Sequence, residues 1–231
     1  MTAPAVVVAG AGGVLGEALC REIVRDAPVI ALRREGSPSV PVAGVRTLHL
    51  PLDDGKAVAE ALHPYGAGDQ SIGLLIHNAA ALRIAPFDEL DRADFEALWR
   101  ASVGTALAAV KAVLPGMRAR QRGCLLFCGA TASVRGGARF AAFAAAKFAL
   151  RGLAQSLARE LQPEGIHVAH LVLDGLIAGS AAAQRFAGGG QAPHAAQLDP
   201  AAIASSCRQL AEQDRSAWSH ELDLRPWQER F

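Results

Sequence analysis

Seven short apolar runs alternate along this chain with segments of helical periodicity, and no other feature restricts the fold as strongly. The runs occupy residues 5–9, 28–32, 45–50, 72–76, 124–128, 166–173 and 217–224. Most are apolar at successive positions, which is typical of strands covered on both faces, whereas the last alternates as an edge or interface strand does. This order predicts an α/β fold with a doubly wound parallel sheet of about seven strands and helices on both faces.

The first apolar run leads directly into a glycine-rich turn, GAGGVLG at 10–16, and then into a helix whose apolar residues repeat every four positions. Glycine lets the backbone approach phosphate groups without a Cβ clash. A helix N-terminus adds free N–H groups and a positive dipole end, which favour an anion. A strand, a glycine turn and a helix in this order indicate a Rossmann-type dinucleotide site. The predicted cofactor contacts in this turn are Gly10, Gly12, Gly13, Leu15 and Gly16.

Two arginines, Arg33 and Arg34, follow the second apolar run. An acidic residue at this place would hydrogen-bond the ribose 2′-hydroxyl of NAD, whereas arginine accommodates the 2′-phosphate of NADP. A guanidinium group matches a phosphate in bidentate fashion. The pair therefore predicts NADP(H) in preference to NAD(H), although two solvated loop arginines would give the same sequence.

Three further segments, together with the glycine turn, resemble the short-chain dehydrogenase/reductase family. They are LIHNAA at 75–80, FAAFAAAKFALRGLAQSLARELQPEGIHV at 140–168 and DGLI at 174–177. The resemblance implies hydride transfer between a nicotinamide and a carbonyl or alcohol. It also implies further cofactor contacts, which are Asn78, Ala79, Ala80, Lys147, Gly175 and Ile177. The acidic residue that contacts the adenine is Asp53 in this alignment, with Asp54 as the alternative.

The resemblance implies a catalytic tetrad, and this chain departs from it at three positions. In the family, a tyrosine exchanges the proton, a lysine four residues later lowers the pKa of that tyrosine, a serine polarises the carbonyl, and an asparagine anchors a water relay. Here the lysine is Lys147, but the other three positions are Phe143, Ala130 and Ser102. The one tyrosine of the chain, Tyr65, lies too far upstream to replace Phe143. The chain thus resembles an atypical member that lacks the active-site tyrosine, serine and asparagine.

The catalytic candidates that remain are Lys147, Asp174 and Ser133. Lys147 can hydrogen-bond the nicotinamide ribose. Asp174 stands where the family has a proline beside the nicotinamide; its carboxyl group would have a raised pKa and act as an acid if shielded from water, or would cap the local turn. Side chains alternate along a strand, so Thr131 is expected to point away if Ala130 points inward, which leaves Ser133 as the better-placed hydroxyl. A surface loop serine is the alternative.

Residues 1–231 are expected to form a single NAD(P)-binding Rossmann domain. Its substrate pocket would be lined by 81–87, 131–140 and 178–200, with Arg135 and Arg139 nearby. The segment 178–200 holds three consecutive glycines and two prolines without clear periodicity, so it is either a mobile lid over the ligand or a surface loop.

Charge and cysteine patterns exclude several classes of partner. The net charge is +1, with 23 basic and 22 acidic residues and no block of either sign, so neither nucleic acid nor an anionic membrane surface is expected. The four cysteines have no spacing that suits a metal site, which favours reduced thiols in a cytoplasmic protein. No basic leader and no apolar run of about 18 residues is apparent, so no membrane span is predicted.

Two functions are compatible with these features. The first is an NADP(H)-dependent oxidoreductase acting on an unknown small substrate, an activated double bond or a carbonyl, without the usual proton donor. The second is a catalytically degenerate nucleotide-binding protein that acts as a sensor, scaffold or partner subunit. The retained Lys147 favours the first, and the combined loss at Phe143, Ala130 and Ser102 favours the second. For either function, the family resemblance implies a homodimer or homotetramer that associates through helices near 94–113 and 143–162 and through the strand 217–224.

Overall fold

The computed structural model describes residues 3–37, 41–66, 71–187 and 197–228. Seven strands form one parallel sheet in the order β3-β2-β1-β4-β5-β6-β9, and β7 pairs with β8 separately. The strands are β1 (Ala5–Ala9), β2 (Val29–Arg33), β3 (Val45–His49), β4 (Ile72–His77), β5 (Gly123–Cys128), β6 (Ile166–Leu173), β7 (Leu176–Ile177), β8 (Gln197–Leu198) and β9 (Glu221–Leu224). The predicted doubly wound sheet is confirmed, and β9 is an edge strand, as its alternating pattern indicated.

Helices cover both faces of this sheet. They are α1 (Gly13–Ile23), α2 (Gly55–Leu62), α3 (Arg92–Trp99), α4 (Thr105–Arg120), α5 (Ala141–Leu161), α6 (Ala181–Ala187) and α7 (Pro200–Ala211), and a π-helical turn (Arg100–Gly104) joins α3 to α4. One apolar core holds α1 and α7 against the sheet, and a second holds α2, α4 and α5 against the opposite face. The predicted stripe of Leu15, Leu19 and Ile23 lies within the first core.

The strand order reverses at β1, which has β2 on one side and β4 on the other. Ala9 pairs with His77, so the last residues of β1 and β4 lie side by side. In open α/β sheets, ligands bind in the crevice outside the carboxyl ends of strands at such a switch point. The fold therefore directs the glycine turn and the LIHNAA segment to one crevice.

The region 178–200 contains short elements rather than a continuous loop. The two-residue strands β7 and β8 lie on either side of α6. Residues 188–196, with the three consecutive glycines, lie outside the described residues, so the predicted lid falls partly outside them.

One helical stretch has the length and apolar composition of a membrane span, although the sequence analysis predicted none. By length and composition alone, Arg92–Arg120 is long and apolar enough to cross a membrane, and 50% of its most apolar window is buried inside the fold. A helix that packs in a protein core passes the same test.

Candidate active site

A groove of about 630 Å³ opens at the switch point of the sheet. The predicted cofactor residues that line it are Gly10, Gly12, Gly13, Arg33, Arg34, Asp53, Asn78, Ala79 and Ala80. The fold thus brings residues from four separate turns to one groove, as the sequence predicts.

Gly10 and Asn78 form the floor where β1 meets β4. Gly10 has a φ of +80°, and a Cβ at this position would overlap the backbone of Ala79. Asn78 Nδ2 donates a hydrogen bond of 3.0 Å to the Gly10 carbonyl oxygen, and the Asn78 backbone N–H donates to Ala9 over 2.8 Å. Glycine is therefore required at residue 10, and the Asn78 amide fixes the turn while lining the groove.

The N-terminus of α1 forms an open cradle for an anion. Gly12 is the N-cap and makes no side-chain capping bond, and a Cβ at Gly12 or Gly13 would meet no atom within 4 Å. The first backbone N–H groups of a helix lack partners within it, so this arrangement suits a phosphate group. Leu15 and Gly16 do not line the groove, because Leu15 packs in the core and Gly16 packs against the backbone of Ala11.

The two arginines after the second apolar run occupy different environments. Strand β2 extends through Arg33, one residue further than the apolar run, and Arg33 is only 2% exposed. Arg34 is exposed at the strand end, and both residues line the groove together with Glu35. Asp53 also lines the groove, whereas the Asp54 side chain caps α2. Arg34 is therefore the more accessible guanidinium for a ribose phosphate.

A second cavity, of about 770 Å³, adjoins the groove beyond the carboxyl ends of β5 and β6. Asn78 and Ala80 line both cavities. Much of the lining of the second cavity is apolar, as predicted for the substrate pocket, and includes Leu82, Ala130, Phe140, Phe143, Gly175, Leu176, Ile177 and Phe186. The Phe140 ring lies 6.4 Å from the rings of both Phe143 and Phe186, measured between centroids.

Lys147 reaches the wall of this second cavity from α5 and is 4% exposed. Its Nζ donates a hydrogen bond of 2.9 Å to the carbonyl oxygen of Cys128 at the end of β5. Burial lowers the pKa of Lys147 from 10.5 to about 8, because a charged ammonium loses hydration inside the protein. Nζ also lies 5.9 Å from the centroid of the Phe143 ring, one helical turn earlier. Lys147 is thus an ammonium group that can lose its proton near neutral pH.

Comparison with known proteins now identifies the family. Residues 4–178 match the family model described as short chain dehydrogenase. The chain belongs to that family. A solved short-chain dehydrogenase from Rhodopseudomonas palustris shares 32% identity, with a TM-score of 0.80 over 97% of this chain and 99% of that one. This short-chain dehydrogenase is accordingly an oxidoreductase with a Rossmann-type fold.

Other relatives are more distant or match only in part. A serine dehydrogenase in its closed form, complexed with NADP+, has a TM-score of 0.85 at 21% identity and covers 98% of this chain and 96% of that one. Human 17-beta-hydroxysteroid dehydrogenase type 1 is 30% identical over 128 residues, which are 55% of this chain and 38% of that protein. The chain therefore spans less than half the length of this curated relative.

In this short-chain dehydrogenase, Asp174 lies among ion-pair and hydrogen-bond partners outside the lining of the second cavity. Its carboxylate accepts a hydrogen bond of 2.6 Å from the Thr131 hydroxyl and pairs with Arg225 at 3.0 Å and Arg135 at 3.6 Å. It is 4% exposed and lies outside the cavity lining. These partners engage both carboxylate oxygens, which favours a structural role for Asp174 over the alternative of an acid. Asp174 instead ties β6 to the segment after β9.

Ser133 is also placed differently from the prediction. Residues Thr131–Ser133 form a 3-10 turn rather than an extension of β5, so strand alternation does not apply to them. Ser133 is fully buried, and its Oγ accepts the backbone N–H of Ala130 over 3.1 Å. Thr131, expected to point away, lines the cavity. No periodic pattern in the sequence indicates a turn of this kind.

A buried polar cluster lies on the α4 side of the groove. His77 Nε2 and Thr105 Oγ1 are 2.8 Å apart, and the Thr105 hydroxyl donates to the Ala101 carbonyl over 2.9 Å. The single hydroxyl proton of Thr105 is thereby used, so His77 Nε2 is the donor in their bond. Burial lowers the pKa of His77 to about 3, so His77 is a packed, neutral histidine. Within the described residues, His77 Nδ1 and the Ser102 hydroxyl have no hydrogen-bond partner.

Proposed function

We propose that this short-chain dehydrogenase uses NADPH to reduce a small substrate with an activated double bond or carbonyl, and that Lys147 takes the place of a phenolic proton donor. The observation that carries the proposal is the buried Lys147 ammonium, which lines the apolar cavity next to the nucleotide groove and has a pKa of about 8. An acid is most effective when its pKa lies near the operating pH.

The chemistry divides between the two cavities. When bound, the reduced nicotinamide supplies a hydride to one atom of the substrate double bond. Lys147 Nζ donates a proton to the other atom and is protonated again from solvent. The Cys128 carbonyl keeps Nζ in place through its hydrogen bond. Phe143 and Ala130 contribute no hydroxyl, and the Thr131 hydroxyl is bound to Asp174, so an activated substrate that needs little acid assistance fits this site best.

Preference for NADPH rests on Arg34 and Arg33, which line the groove at the end of β2. Guanidinium groups at this place suit a ribose 2′-phosphate. Gly10, Gly12 and Gly13 would hold the diphosphate at the start of α1, and Asp53 would face the adenine end. The degenerate nucleotide-binding alternative gains no support from the relatives, whose names are those of dehydrogenases and reductases.

A triple substitution separates the two functions. Phe143→Tyr, Ala130→Ser and Ser102→Asn together introduce the family residues that this chain lacks. The proposal expects the parent protein to oxidise NADPH with at least one member of a panel of enones, ketones and imines. If the parent is inactive on the whole panel and the triple variant reduces ketones, the degenerate nucleotide-binding function is correct instead.

A further inference from the structure

A third groove, of about 730 Å³, lies at the amino ends of the sheet strands, whereas the first groove lies at their carboxyl ends. Its floor comes from the amino ends of four strands, through Pro4, Gly73, Gly123 and Gly165. It shares no lining residue with the cofactor groove or the substrate cavity. Its function is therefore separable from the dehydrogenase reaction.

Three arginines on the rim of this groove have no carboxylate partner within the described residues. Arg120 Nη2 donates to the Ile72 carbonyl over 2.6 Å, and Arg215 Nη2 donates to the Gln121 carbonyl over 2.9 Å. Arg122 is exposed to solvent and also lines the groove. A backbone carbonyl carries no net charge, so these bonds orient the guanidinium groups without neutralising them.

The other charged residues of the groove do not cancel this excess. Arg208 pairs with Glu22 at 3.0 Å and with Glu212 at 3.4 Å. The positive charge of Arg208 is therefore compensated by these two carboxylates. Asp26 is the one other carboxylate in the lining. The groove therefore carries a net positive charge and attracts anions.

An aromatic platform stands beside these arginines. The indole of Trp218 stacks on the buried imidazole of His167, with centroids 4.9 Å apart and planes 7° from parallel. His167 Nε2 lies 2.8 Å from the Ser219 carbonyl oxygen, and Ser219 in turn forms two hydrogen bonds with Gln213. The ring pair is thus fixed, and His167 covers one indole face. Trp218 lines the groove together with His167, and both residues also line a smaller adjoining cavity of about 240 Å³.

We propose that this groove is a second ligand site for a nucleoside monophosphate, with the base stacked on Trp218 and the phosphate held by Arg120, Arg122 and Arg215. Guanidinium groups bind phosphate through paired charge-assisted hydrogen bonds. Any of the nucleobases can stack on an indole face, because each base has a π-face. The volume of about 730 Å³ lies within the range of small-molecule sites in proteins.

Calorimetric titration with GMP tests the site, with the full chain saturated with NADP+ so that the cofactor groove is filled. We expect one additional GMP per chain, and we expect guanosine or inorganic phosphate alone to bind at least about tenfold more weakly. The double variant Arg122→Gln/Arg215→Gln removes two charge-assisted contacts and lowers GMP affinity by roughly a hundredfold. Trp218→Leu lowers it about tenfold, whereas Trp218→Phe retains a ring and most of the affinity.

Arg21→Gln is the control, because Arg21 is an exposed arginine of α1 that lines neither this groove nor the smaller cavity beside Trp218. This variant should bind GMP like the parent protein. The proposal is overturned if no GMP binds beside NADP+, if the double variant binds it unchanged, or if only phosphate charge and not the base affects the affinity. None of these outcomes depends on turnover at the dehydrogenase site.

Discussion

Lys147 Nζ and the carbonyl oxygen of Cys128 lie 2.9 Å apart, which joins α5 to the end of β5 at the wall of the substrate cavity. The bond leaves two of the three ammonium protons for other partners. Because the site is buried, the Lys147 pKa falls to about 8. Under the proposed function, cofactor contact and proton donation would therefore converge on this one side chain.

Cofactor selectivity should depend on Arg34. We predict that NADPH binds at least about tenfold more tightly than NADH, and that Arg34→Ala weakens NADPH binding by roughly ten- to a hundredfold through loss of charge-assisted bonds. NADH binding should not change. Titration of nicotinamide fluorescence measures both affinities, with Arg21→Ala, on the exposed surface of α1, as control. Equal affinities of the parent protein for the two cofactors would refute the role of the arginines.

Phe143→Tyr alone should not create a strong alcohol dehydrogenase. The new hydroxyl would enter an apolar cavity beside Phe140, while Ala130 and Ser102 would still provide neither a carbonyl-polarising hydroxyl nor a relay amide. We expect activity on the native substrate to stay the same or fall. Steady-state rates of NADP+ reduction by a panel of alcohols test this, and a large gain from the single change would contradict it.

The sequence predicted the central strands well because β1, β2, β5 and β6 are buried along almost their whole length, whereas β9 covers only the second half of the run 217–224. The run 124–128 lies within the observed β5 (Gly123–Cys128), and 166–173 coincides with β6. Short continuous apolar runs that alternate with helical segments are typical of parallel strands buried on both faces. By contrast, β7 and β8 have two residues each, which is too short for any periodic pattern to register.

Most residues that line the first groove were also predictable. They belong to a glycine turn or follow the end of a strand, and both features can be located from the sequence. The catalytic candidates were less so. The role of Asp174 depends on Arg225, which follows a different strand and reaches it only in the folded chain. Thr131 lines the second cavity and Ser133 is buried, the reverse of the prediction, because these residues form a 3-10 turn instead of a strand. Contacts between distant segments set these roles, and no local pattern encodes them.

The buried polar cluster predicts opposite effects on stability for two neighbouring substitutions. Thr105→Val leaves the His77 N–H without its acceptor and should lower the free energy of unfolding by about 1–3 kcal/mol. Ser102→Ala removes a buried hydroxyl that has no partner within the described residues and should leave that free energy unchanged or raise it by up to about 1 kcal/mol. Urea unfolding of both variants measures the difference. A loss in Ser102→Ala as large as that in Thr105→Val would contradict the cluster described above.

Self-association is expected through the helices of one face. Trp99, Leu107 and Phe148 lie on α3, α4 and α5 and are 47%, 41% and 43% exposed. Large apolar side chains exposed on adjoining helices are typical of an interface. Light scattering at micromolar concentration should give a dimer or tetramer, and Phe148→Asp should shift it toward monomer. Phe87→Asp, also at an exposed phenylalanine but outside these helices, is the control. A monomeric parent protein would contradict the prediction.

The pH profile of kcat/KM for NADPH-dependent reduction, compared between the parent and two Lys147 variants, tests the central claim most directly. Lys147 must be protonated to act as the donor, so kcat/KM of the parent should fall as the pH rises through about 8. Lys147→Arg keeps its charge over this range and should show no such fall, and Lys147→Ala should lose about 10²–10⁴ in rate. A parent protein that oxidises NADPH at a rate independent of Lys147, or that oxidises it with no substrate of the panel, would contradict the account.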